Sequence, residues 1–428
     1  MLHEGQQIEL TIEKPASGGR MIARHLGQVI LVRGAIPGER VAAWVERAEK
    51  RLAYAVTRDV LQPSPDRRPA SQDPLCGGLL YSHIAYDRQR QLKADVIRDA
   101  FARVGRHPIE QPFEVTGSPE YGYRMRARLH VRGGRAGFYR EGTHQLCDAG
   151  GTRQLTPAAL AALDSVTRGV EGAAPGALAS ISMAENVAAD QRAIHLELTE
   201  GARIPPALLE HLTSSTGLTG ISAREGGAAA AVRAGSAAVR DTLRTITAGR
   251  VADGDLKRHA ESFFQSNRYL LPALVTAILD LVPPADDVLD LYAGVGLFSI
   301  ALAAAGHAGS ITAVETDRAA GVDLKRNAGP YAAVEPYLAS VEDFLAAARR
   351  PQAQTVIVDP PRIGLSNRVA EGLIRYRASR VIYVSCDPPT LARDARKLIE
   401  AGYRMESIAG FDFFPNTPHV ETLVVFTV

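Results

Sequence analysis

Short apolar runs alternate with helical patterns from residue 256 to residue 428, the C-terminal end of the chain. The runs lack the apolar–polar alternation of a half-exposed strand, which predicts parallel strands buried on both faces. Each run is followed by a turn containing glycine or proline, and most of these turns lead into a helix. Strand–helix alternation of this kind predicts a doubly wound, mostly parallel sheet. The last run, ETLVVFTV, predicts an antiparallel strand at the edge of that sheet.

The N-terminal pattern is different. Residues 1–62 contain short alternating segments separated by glycine and proline turns, which predict a small β-barrel of the OB-like kind. Residues 62–74 are polar and rich in proline, so we expect a linker there. Residues 75–255 are assigned to a central α+β domain, of which part of 85–120 is expected to pack on the C-terminal domain. The whole chain is therefore predicted to be an α/β protein of three domains.

One predicted strand of the central domain carries a row of arginines. Arg124, Arg126 and Arg128 alternate with apolar residues, so they share one face of the strand. Nearby aromatic residues, among them Tyr121 and Phe138, offer surfaces on which bases can stack. We predict that the three arginines bind RNA. The alternative is a basic strand face that is simply solvated.

Charge is distributed unevenly along the chain. The net charge is +2, but residues 1–140 contain 23 Lys and Arg against 15 Asp and Glu. Basic side chains in a small barrel suit a nucleic-acid backbone, so an anionic partner is expected for the N-terminal part. The alternative is a barrel that only caps a neighbouring domain.

Cysteine content and hydropathy bear on the cellular compartment. The three cysteines are far apart in the sequence, so we expect no disulfide framework and a reducing compartment. The N-terminus lacks the pattern of a signal peptide. The longest apolar stretch, 270–282, is too short to span a bilayer and contains Asp280. A cytoplasmic protein without membrane contact is predicted, and no obligate protein partner is expected.

The strongest chemical candidate is Cys386. It follows the buried run VIYV and precedes Asp387 and two prolines, with Thr390 as the expected cap of the next helix. Ligands bind at the carboxyl ends of strands in open α/β sheets. A helix N-terminus also lowers the pKa of a thiol, which favours the reactive thiolate. We interpret Cys386 as a nucleophile; the alternative is a small buried apolar side chain.

A second group of residues predicts a cofactor site. Gly294 and Gly296 lie in the loop DLYAGVG between a strand and a helix, where glycine lets the backbone approach a ligand. Glu315 ends the next strand, a position from which an acid accepts hydrogen bonds from ribose hydroxyls. The full dinucleotide fingerprint is absent, so S-adenosylmethionine is favoured over NAD. Asp359, held in a turn by two prolines, is expected at the same edge of the sheet.

A third group lies near the C-terminus. Glu421 ends the segment FDFFPNTPHVE and precedes the last strand. Its carboxylate is a candidate general base, and the aromatic residues before it could pack a base. The alternative is an exposed glutamate that begins a strand.

Taken in order, these motifs resemble the RNA 5-methyluridine (uracil-C5) methyltransferase family. The resemblance rests on SFFQSN, DLYAGVGLF, DPPRIG, YVSCDPPTLARD and FPNTPHVE, and residues 1–60 resemble the TRAM barrel of that family. It implies a class I methyltransferase (Rossmann-like) domain over 256–428 that uses S-adenosylmethionine and makes 5-methyluridine in ribosomal or transfer RNA. It also implies a nucleophile at Cys386 and a general base at Glu421. The cofactor-site positions that it implies are Gln265, Tyr292, Glu315 and Asp359, which join Gly294 and Gly296 of the glycine loop.

The chain departs from the family at one point. Many members bind an iron–sulfur cluster through a Cys-x5-Cys-Gly-Gly-Cys run and a later cysteine, and only Cys76 of these remains here. Ala70, Leu79 and Thr152 occupy the other positions. A cluster of this kind takes four cysteine ligands, so we predict that the cluster is absent and expect no other metal. Cys147 is expected to be structural.

Two other functions stay open on the sequence. An RNA cytosine-C5 methyltransferase would use similar covalent chemistry, but that family generally has a pair of cysteines in its catalytic domain. Only Cys386 lies after residue 147. A non-catalytic RNA-binding relative would be expected to lack Cys386 or Glu421, and both are present.

Overall fold

A computed structural model describes residues 2–70, 73–225, 231–347 and 352–428 of the chain. The strands are β1 (Gln7–Pro15), β2 (Met21–His25), β3 (Gln28–Arg33), β4 (Arg40–Ala48), β5 (Leu52–Gln62), β6 (Val115–Thr116), β7 (Arg126–Arg132), β8 (Arg135–Tyr139), β9 (Leu146–Asp148), β10 (Leu178–Glu185), β11 (Arg192–Leu198), β12 (Gly220–Glu225), β13 (Val232–Gly235), β14 (Ala238–Thr242), β15 (Asp255–His259), β16 (Val288–Leu291), β17 (Ile311–Glu315), β18 (Val334–Leu338), β19 (Thr355–Val358), β20 (Arg380–Ser385), β21 (Arg404–Phe411) and β22 (Glu421–Thr427). The helices are α1 (Tyr86–Arg103), α2 (Pro157–Ala173), α3 (Pro206–Thr216), α4 (Leu243–Ile246), α5 (Leu271–Leu281), α6 (Leu297–Ala304), α7 (Arg318–Ala328), α8 (Val341–Ala346), α9 (Asn367–Tyr376) and α10 (Pro388–Glu400).

The first five strands close into the predicted barrel, in the order β1-β2-β3-β5-β4. Alternate side chains of β1 point into its core, as the period of two requires. One end of the barrel packs on Tyr81, Ile84 and Leu92, the last of which belongs to α1. Two barrel arginines, Arg20 and Arg33, are paired with carboxylates, so part of the N-terminal basic charge is neutralised within the fold.

The central sheet has the order β13-β12-β11-β10-β7-β8-β9, with α2 and α3 contributing to the hydrophobic core on one face. Cys147 on β9 is bonded to Cys76, so the expectation that no disulfide would form is wrong for this pair. A sequence separation of 71 residues hid the contact, because the loop 73–79 returns to β8 and β9 only in the folded chain. The number of cysteines therefore carries no argument for a reducing compartment.

The largest sheet has the order β18-β17-β16-β19-β20-β22-β21-β6. Its first five strands are parallel, and hydrophobic clusters cover both faces, which confirms the doubly wound prediction. The last strand, β22, is antiparallel as expected, but it lies inside the sheet between β20 and β21. The edge position was wrong, because β21 and β6 extend the sheet beyond β22, and Val424 through Phe426 are fully buried.

Segments outside residues 256–428 complete this domain. β6 pairs with β21, and Ile97 and Phe101 of α1 lie in the same core as α10. The predicted linker 62–74 is anchored, because Arg67 donates to the buried carboxylate of Glu39 in the barrel. Ser71 and Gln72 of that segment lie outside the described residues. The domain boundaries themselves stay a prediction. Over the described ranges, no helix is long and apolar enough to cross a membrane.

Candidate active site

Cys386 lies between the end of β20 and the start of α10, at the carboxyl edge of the parallel sheet. Two prolines open the helix, where the missing N–H groups of proline cost nothing. The cap is Asp387, whose Oδ1 accepts a hydrogen bond of 3.0 Å from the backbone N–H of Thr390. Thr390 was expected as the cap, but it lies inside the first turn, because the prolines begin the helix two residues earlier.

The thiol is only partly exposed, and its surroundings are acidic. Burial raises the pKa of Cys386 to about 12, with further contributions from Glu421 and Asp359, against a smaller lowering by Arg362. The expectation of a lowered pKa is therefore wrong for the ligand-free protein. The helix N-terminus is already satisfied by Asp387, and the nearby carboxylates repel a thiolate. The cysteine is a protonated thiol at neutral pH.

Glu421 is the first residue of β22 and is 3% exposed. Ser385 of β20 pairs with Thr422 of β22 in an antiparallel register. Cys386, one residue after Ser385, and Glu421, one residue before Thr422, therefore lie at the same edge of the sheet. Burial raises the pKa of Glu421 well above its usual range, and the charge of Asp359 adds to that effect. The sheet thus brings together the predicted nucleophile and the predicted base, which are 35 positions apart in the sequence.

Four of the six predicted cofactor residues, Gln265, Tyr292, Gly294 and Asp359, line one cleft. Its walls come from the loop after β16, from β19 and from the segment before α5; the lining residues include Phe263, Gln265, Tyr292, Gly294, Leu297, Phe298 and Asp359. Nε2 of Gln265 donates to Oδ2 of Asp359 at 3.0 Å, so these two predicted residues are in direct contact. Burial raises the pKa of Asp359 to about 7. Gly294 has a φ of +59°, and a Cβ at that position would meet nothing within 4 Å, so the backbone there faces open space.

Glu315 is placed at the end of β17, next to the glycine loop. Its Oε2 accepts from the N–H of Gly294 at 2.8 Å, and its Oε1 accepts from the N–H groups of Thr316 and Asp317. Gly296 has a φ of +90°, and a Cβ there would lie 2.8 Å from Leu324. Glu315 therefore fixes the loop as well as facing the ligand side, and its predicted contact with ribose must use the remaining acceptor capacity of the carboxylate.

One acidic residue of the site was not among the predicted site residues. Asp290 is fully buried, accepts from Oγ of Ser299 at 2.5 Å, and its Oδ1 has no partner among the described residues. Burial raises its pKa to about 7. An acid inside the buried run VLDL was the signal that could have found it, since carboxylates are almost never buried without a reason.

Of the three predicted RNA-binding arginines, Arg126 and Arg128 lie on β7, whereas Arg124 precedes the strand and forms an isolated bridge with Asn267. Arg124 contacts Phe138 and Phe414 and donates to Oε1 of Gln154 at 2.8 Å. Arg126 lies over Phe263, and burial lowers its pKa to about 10. Arg128 is exposed. RNA binding by these residues stays a prediction, and Arg128 is the most accessible of the three.

The residues at the former cluster positions do not fit a cluster with four thiolate ligands. Cys76 is bonded to Cys147, Leu79 is buried, and the hydroxyl of Thr152 donates to the carbonyl of Ala149. Within the described ranges no group of three or more His, Cys, Asp and Glu side chains is arranged to hold a metal ion. The absence of an iron–sulfur cluster nevertheless stays a prediction from the ligand set.

Comparison with known proteins assigns this site to a family. The TRAM domain profile matches residues 2–56, and the profile described as tRNA (Uracil-5-)-methyltransferase matches residues 347–428. An RNA methyltransferase of Streptomyces avermitilis, described as uncharacterized, is 31% identical over 98% of this chain and 98% of its own length. The 23S rRNA (uracil(1939)-C(5))-methyltransferase RlmD of Halomonas elongata is 32% identical over 99% of this chain and 89% of its length.

A solved structure agrees with these sequence relatives. The tRNA (uracil-54, C5)-methyltransferase of Pyrococcus abyssi, in complex with S-adenosyl-L-homocysteine, is 26% identical and superposes with a TM-score of 0.72. The match covers 98% of this chain and 100% of that one. Together with the arrangement of the cysteine, the glutamate and the glycine loop, these matches show that the chain belongs to the family of S-adenosylmethionine-dependent RNA uracil-C5 methyltransferases.

Proposed function

We propose that this protein methylates carbon 5 of a uridine in RNA through a covalent bond between Cys386 and carbon 6 of the uracil. The observation that supports this most directly is the pairing of β20 with β22, which puts Cys386 next to Glu421. Carbon 5 of uracil is a poor nucleophile until a group adds to carbon 6. A thiol and a carboxylate on one side of the ring can carry out addition and elimination there.

In the proposed reaction, Cys386 first adds to the ring and later leaves it, and Glu421 accepts one proton. The proton of the Cys386 thiol passes to solvent, the sulfur bonds to carbon 6, and the ring becomes an enolate whose carbon 5 is nucleophilic. S-adenosylmethionine, when bound, would supply the methyl group from its sulfonium and leave as the neutral thioether S-adenosylhomocysteine. The carboxylate of Glu421 then takes the proton from carbon 5, the bond from carbon 6 to sulfur breaks, and the double bond of the ring re-forms. Glu421 suits this role because burial, and after it the charge of Asp359, raises the pKa of its carboxyl group, which makes the carboxylate a stronger base than an exposed glutamate.

The cleft beside the glycine loop supports S-adenosylmethionine binding. The open space over Gly294 gives room for a ligand against the backbone, and Asp290 has a buried oxygen without a partner among the described residues. The carboxylates of Asp290, Glu315 and Asp359 suit a ligand that carries a positive charge and ribose hydroxyls. We propose that Gln265, Tyr292, Gly294, Gly296, Glu315 and Asp359 hold it.

RNA binding is assigned to the barrel and to the arginine face of β7. A target uridine must leave its stack to reach Cys386, which costs a few kcal/mol and least in a loop or single strand. Phosphate contacts from Arg128 and from the barrel would offset that cost. Binding should therefore weaken steeply as salt concentration rises.

Ribosomal RNA is the first substrate to test. The relative from Halomonas elongata, named for 23S rRNA, is 32% identical to this chain, whereas the enzyme named for tRNA is 26% identical. The experiment is mapping of 5-methyluridine in ribosomal and transfer RNA from cells with and without this protein. Loss of a site in 23S rRNA would support the proposal. Loss only in tRNA would move the substrate to tRNA, and no change in either would contradict it.

The alternative of an RNA cytosine-C5 methyltransferase is tested by the same cells. Measurement of 5-methylcytidine should show no difference between the two strains. A non-catalytic RNA-binding role would leave both modified nucleosides unchanged.

A further inference from the structure

The loop that leads to Glu421 is held by parts of the chain that come long before residue 256 in the sequence. We call residues 412–419, between β21 and β22, the base loop. Loops are usually the least constrained parts of a fold. This one is fixed by side chains from the segment after the barrel and from α1, which lie more than 300 positions earlier in the sequence.

Asn416 is the centre of these contacts. It is 4% exposed and has a φ of +65°, a left-handed conformation that asparagine adopts more readily than most residues. Its Oδ1 accepts from Nη2 of Arg68 at 2.7 Å and from Nε2 of Gln89 at 3.0 Å. Its backbone N–H donates to Oε1 of Gln89 at 2.8 Å, and its carbonyl accepts from the N–H of Tyr81 at 2.8 Å.

A second contact fixes the start of the base loop. Nζ of Lys93 donates to Oδ1 of Asp412 at 2.5 Å and to the carbonyl of Phe414 at 3.1 Å, and both charged side chains are buried. Removal of one partner of such a pair leaves an uncompensated buried charge, so the pair defines one position of the loop. Gln89 and Lys93 are four residues apart on α1 and therefore lie on the same face of the helix.

The same helix also contacts the nucleophile side. α1 packs against α10, which begins two residues after Cys386, and Ala100 and Phe101 lie in one hydrophobic cluster with Leu391 and Ala395. One rigid element thus touches the helix that follows the nucleophile and the loop that precedes the base. Catalytic groups need their relative positions held closely, since a misplacement of about 1 Å can cost about 100-fold in rate.

We propose that Gln89 and Lys93 are positioning residues for proton abstraction by Glu421, so that a helix from outside residues 256–428 completes the active site. This inference rests on the proposed covalent mechanism. It gives the N-terminal part of the chain a role in catalysis in addition to its proposed role in RNA binding. Neither residue is placed against RNA, cofactor or the reacting atoms; both act through the base loop.

The test is a single-turnover assay of Gln89→Leu with a uridine-containing RNA and radiolabelled S-adenosylmethionine. Loss of the amide frees the base loop, so Glu421 removes the carbon 5 proton slowly while methyl transfer continues. We expect a methylated covalent RNA–protein adduct to accumulate on denaturing gels, with kcat reduced about 10- to 100-fold and the KM for S-adenosylmethionine unchanged within about twofold. Normal product release per folded molecule, without adduct, would overturn the proposal.

Two further variants separate positioning from general destabilisation. Asn416→Gly removes only the side-chain acceptor and tolerates the left-handed backbone, so it should give the same adduct if Gln89→Leu does not fold. Ile97→Val weakens the packing of α1 without removing a contact to the base loop. It should lower thermal stability but leave kcat and adduct formation unchanged; an adduct in this variant would assign the effect to loss of packing and overturn the proposal.

A substrate analogue separates failure of this inference from failure of the mechanism. RNA with 5-fluorouridine has no proton for Glu421 to remove, so the wild-type protein should form a stable adduct with it. If the wild type does not, the covalent mechanism itself is wrong, and the positioning proposal fails with it. If the wild type does but Gln89→Leu releases methylated uridine RNA at the normal rate, only the positioning role is contradicted.

Discussion

Cys386 and Glu421 lie side by side but are held in place in different ways. The nucleophile is fixed locally, by a buried strand, two prolines and a helix cap within a few residues of it. The base follows a loop whose contacts come from Arg68, Gln89 and Lys93, in the first quarter of the chain. The position of the base therefore depends on segments before residue 256 as well as on the pairing of β22, whereas the nucleophile meets such a segment only through the packing of α10 on α1.

The largest expected effect concerns the locally fixed half. Cys386→Ala should lower methylation by more than about 10⁴-fold, because carbon 6 then has no nucleophile to activate carbon 5. No covalent adduct should form with RNA or with 5-fluorouridine RNA. The measurement is methyl incorporation together with denaturing gel electrophoresis. Residual methylation close to the wild-type rate would show that the reaction needs no covalent bond.

The corresponding change in the other half should leave a different signature. Glu421→Gln keeps the shape of the side chain but cannot accept the carbon 5 proton, so turnover should fall by about 10²- to 10⁴-fold. Methylated RNA should remain bound to Cys386 after one turnover, which mass spectrometry of the adduct can detect. The two halves are distinguished if Cys386→Ala gives no adduct and Glu421→Gln gives a methylated one. An unmethylated adduct from Glu421→Gln would place Glu421 before methyl transfer.

The difference between the halves also explains what the sequence could predict. The run VIYV, the turn after it and the glycine loop are contiguous patterns, so the strand and the edge of the sheet could be predicted from the chain, and Gly294 and Gly296 stay predicted cofactor residues. Asn416 and Gln89 carry no such signal, because their partners are more than 300 positions apart. The contact of Cys76 with Cys147, which are 71 positions apart, was missed because no local pattern links them. The pKa of Cys386 was predicted in the wrong direction, because the burial of the thiol, and after it the approach of Glu421 and Asp359, arises only in the folded chain.

That pKa gives a third prediction, on the nucleophile side. With the pKa of Cys386 raised to about 12, the thiolate fraction in the ligand-free protein is small at neutral pH and grows as protons are removed. Alkylation of Cys386 by iodoacetamide should therefore accelerate about tenfold for each pH unit between 7 and 10. Peptide mass spectrometry can follow Cys386 separately from the bonded pair. A plateau near pH 9 would indicate an ordinary thiol with a pKa of about 8.5.

A fourth prediction tests whether the contact between the barrel and the base loop affects catalysis. A Cβ on Gly19 would lie 2.9 Å from Cγ of Pro418 in the base loop, whereas a Cβ on Gly18 would meet nothing within 4 Å. Both glycines have positive φ, so alanine is strained at either position. Gly19→Ala should lower kcat about 3- to 10-fold by displacing the base loop, and Gly18→Ala should not. Equal kcat values in the two variants, at equal thermal stability, would show that the contact of the barrel with the base loop does not affect catalysis.

The smallest effect concerns stability on the nucleophile side. Burial raises the pKa of Asp290 to about 7, whereas a free aspartate has a pKa of about 3.9. Between these values the folded protein holds a proton that the unfolded chain has lost, so the free energy of unfolding falls as pH rises. Asp290→Asn carries no charge and can still accept from Oγ of Ser299. It should raise the free energy of unfolding by about 1–3 kcal/mol at pH 8 and by much less at pH 4.5.

Asp287 provides the matched control, because it lies three residues earlier and its pKa is shifted in the opposite direction. Hydrogen bonds from the side chain and the backbone of Ser310 lower the pKa of Asp287, which is only partly buried. Asp287→Asn should therefore not stabilise the protein at pH 8. Urea denaturation of both variants at the two pH values measures the difference. If Asp290→Asn gave the same change at pH 4.5 and pH 8, the buried carboxylate would not be the source. The free energy of unfolding would then not depend on the charge of Asp290, and the effect of the substitution would be assigned to packing.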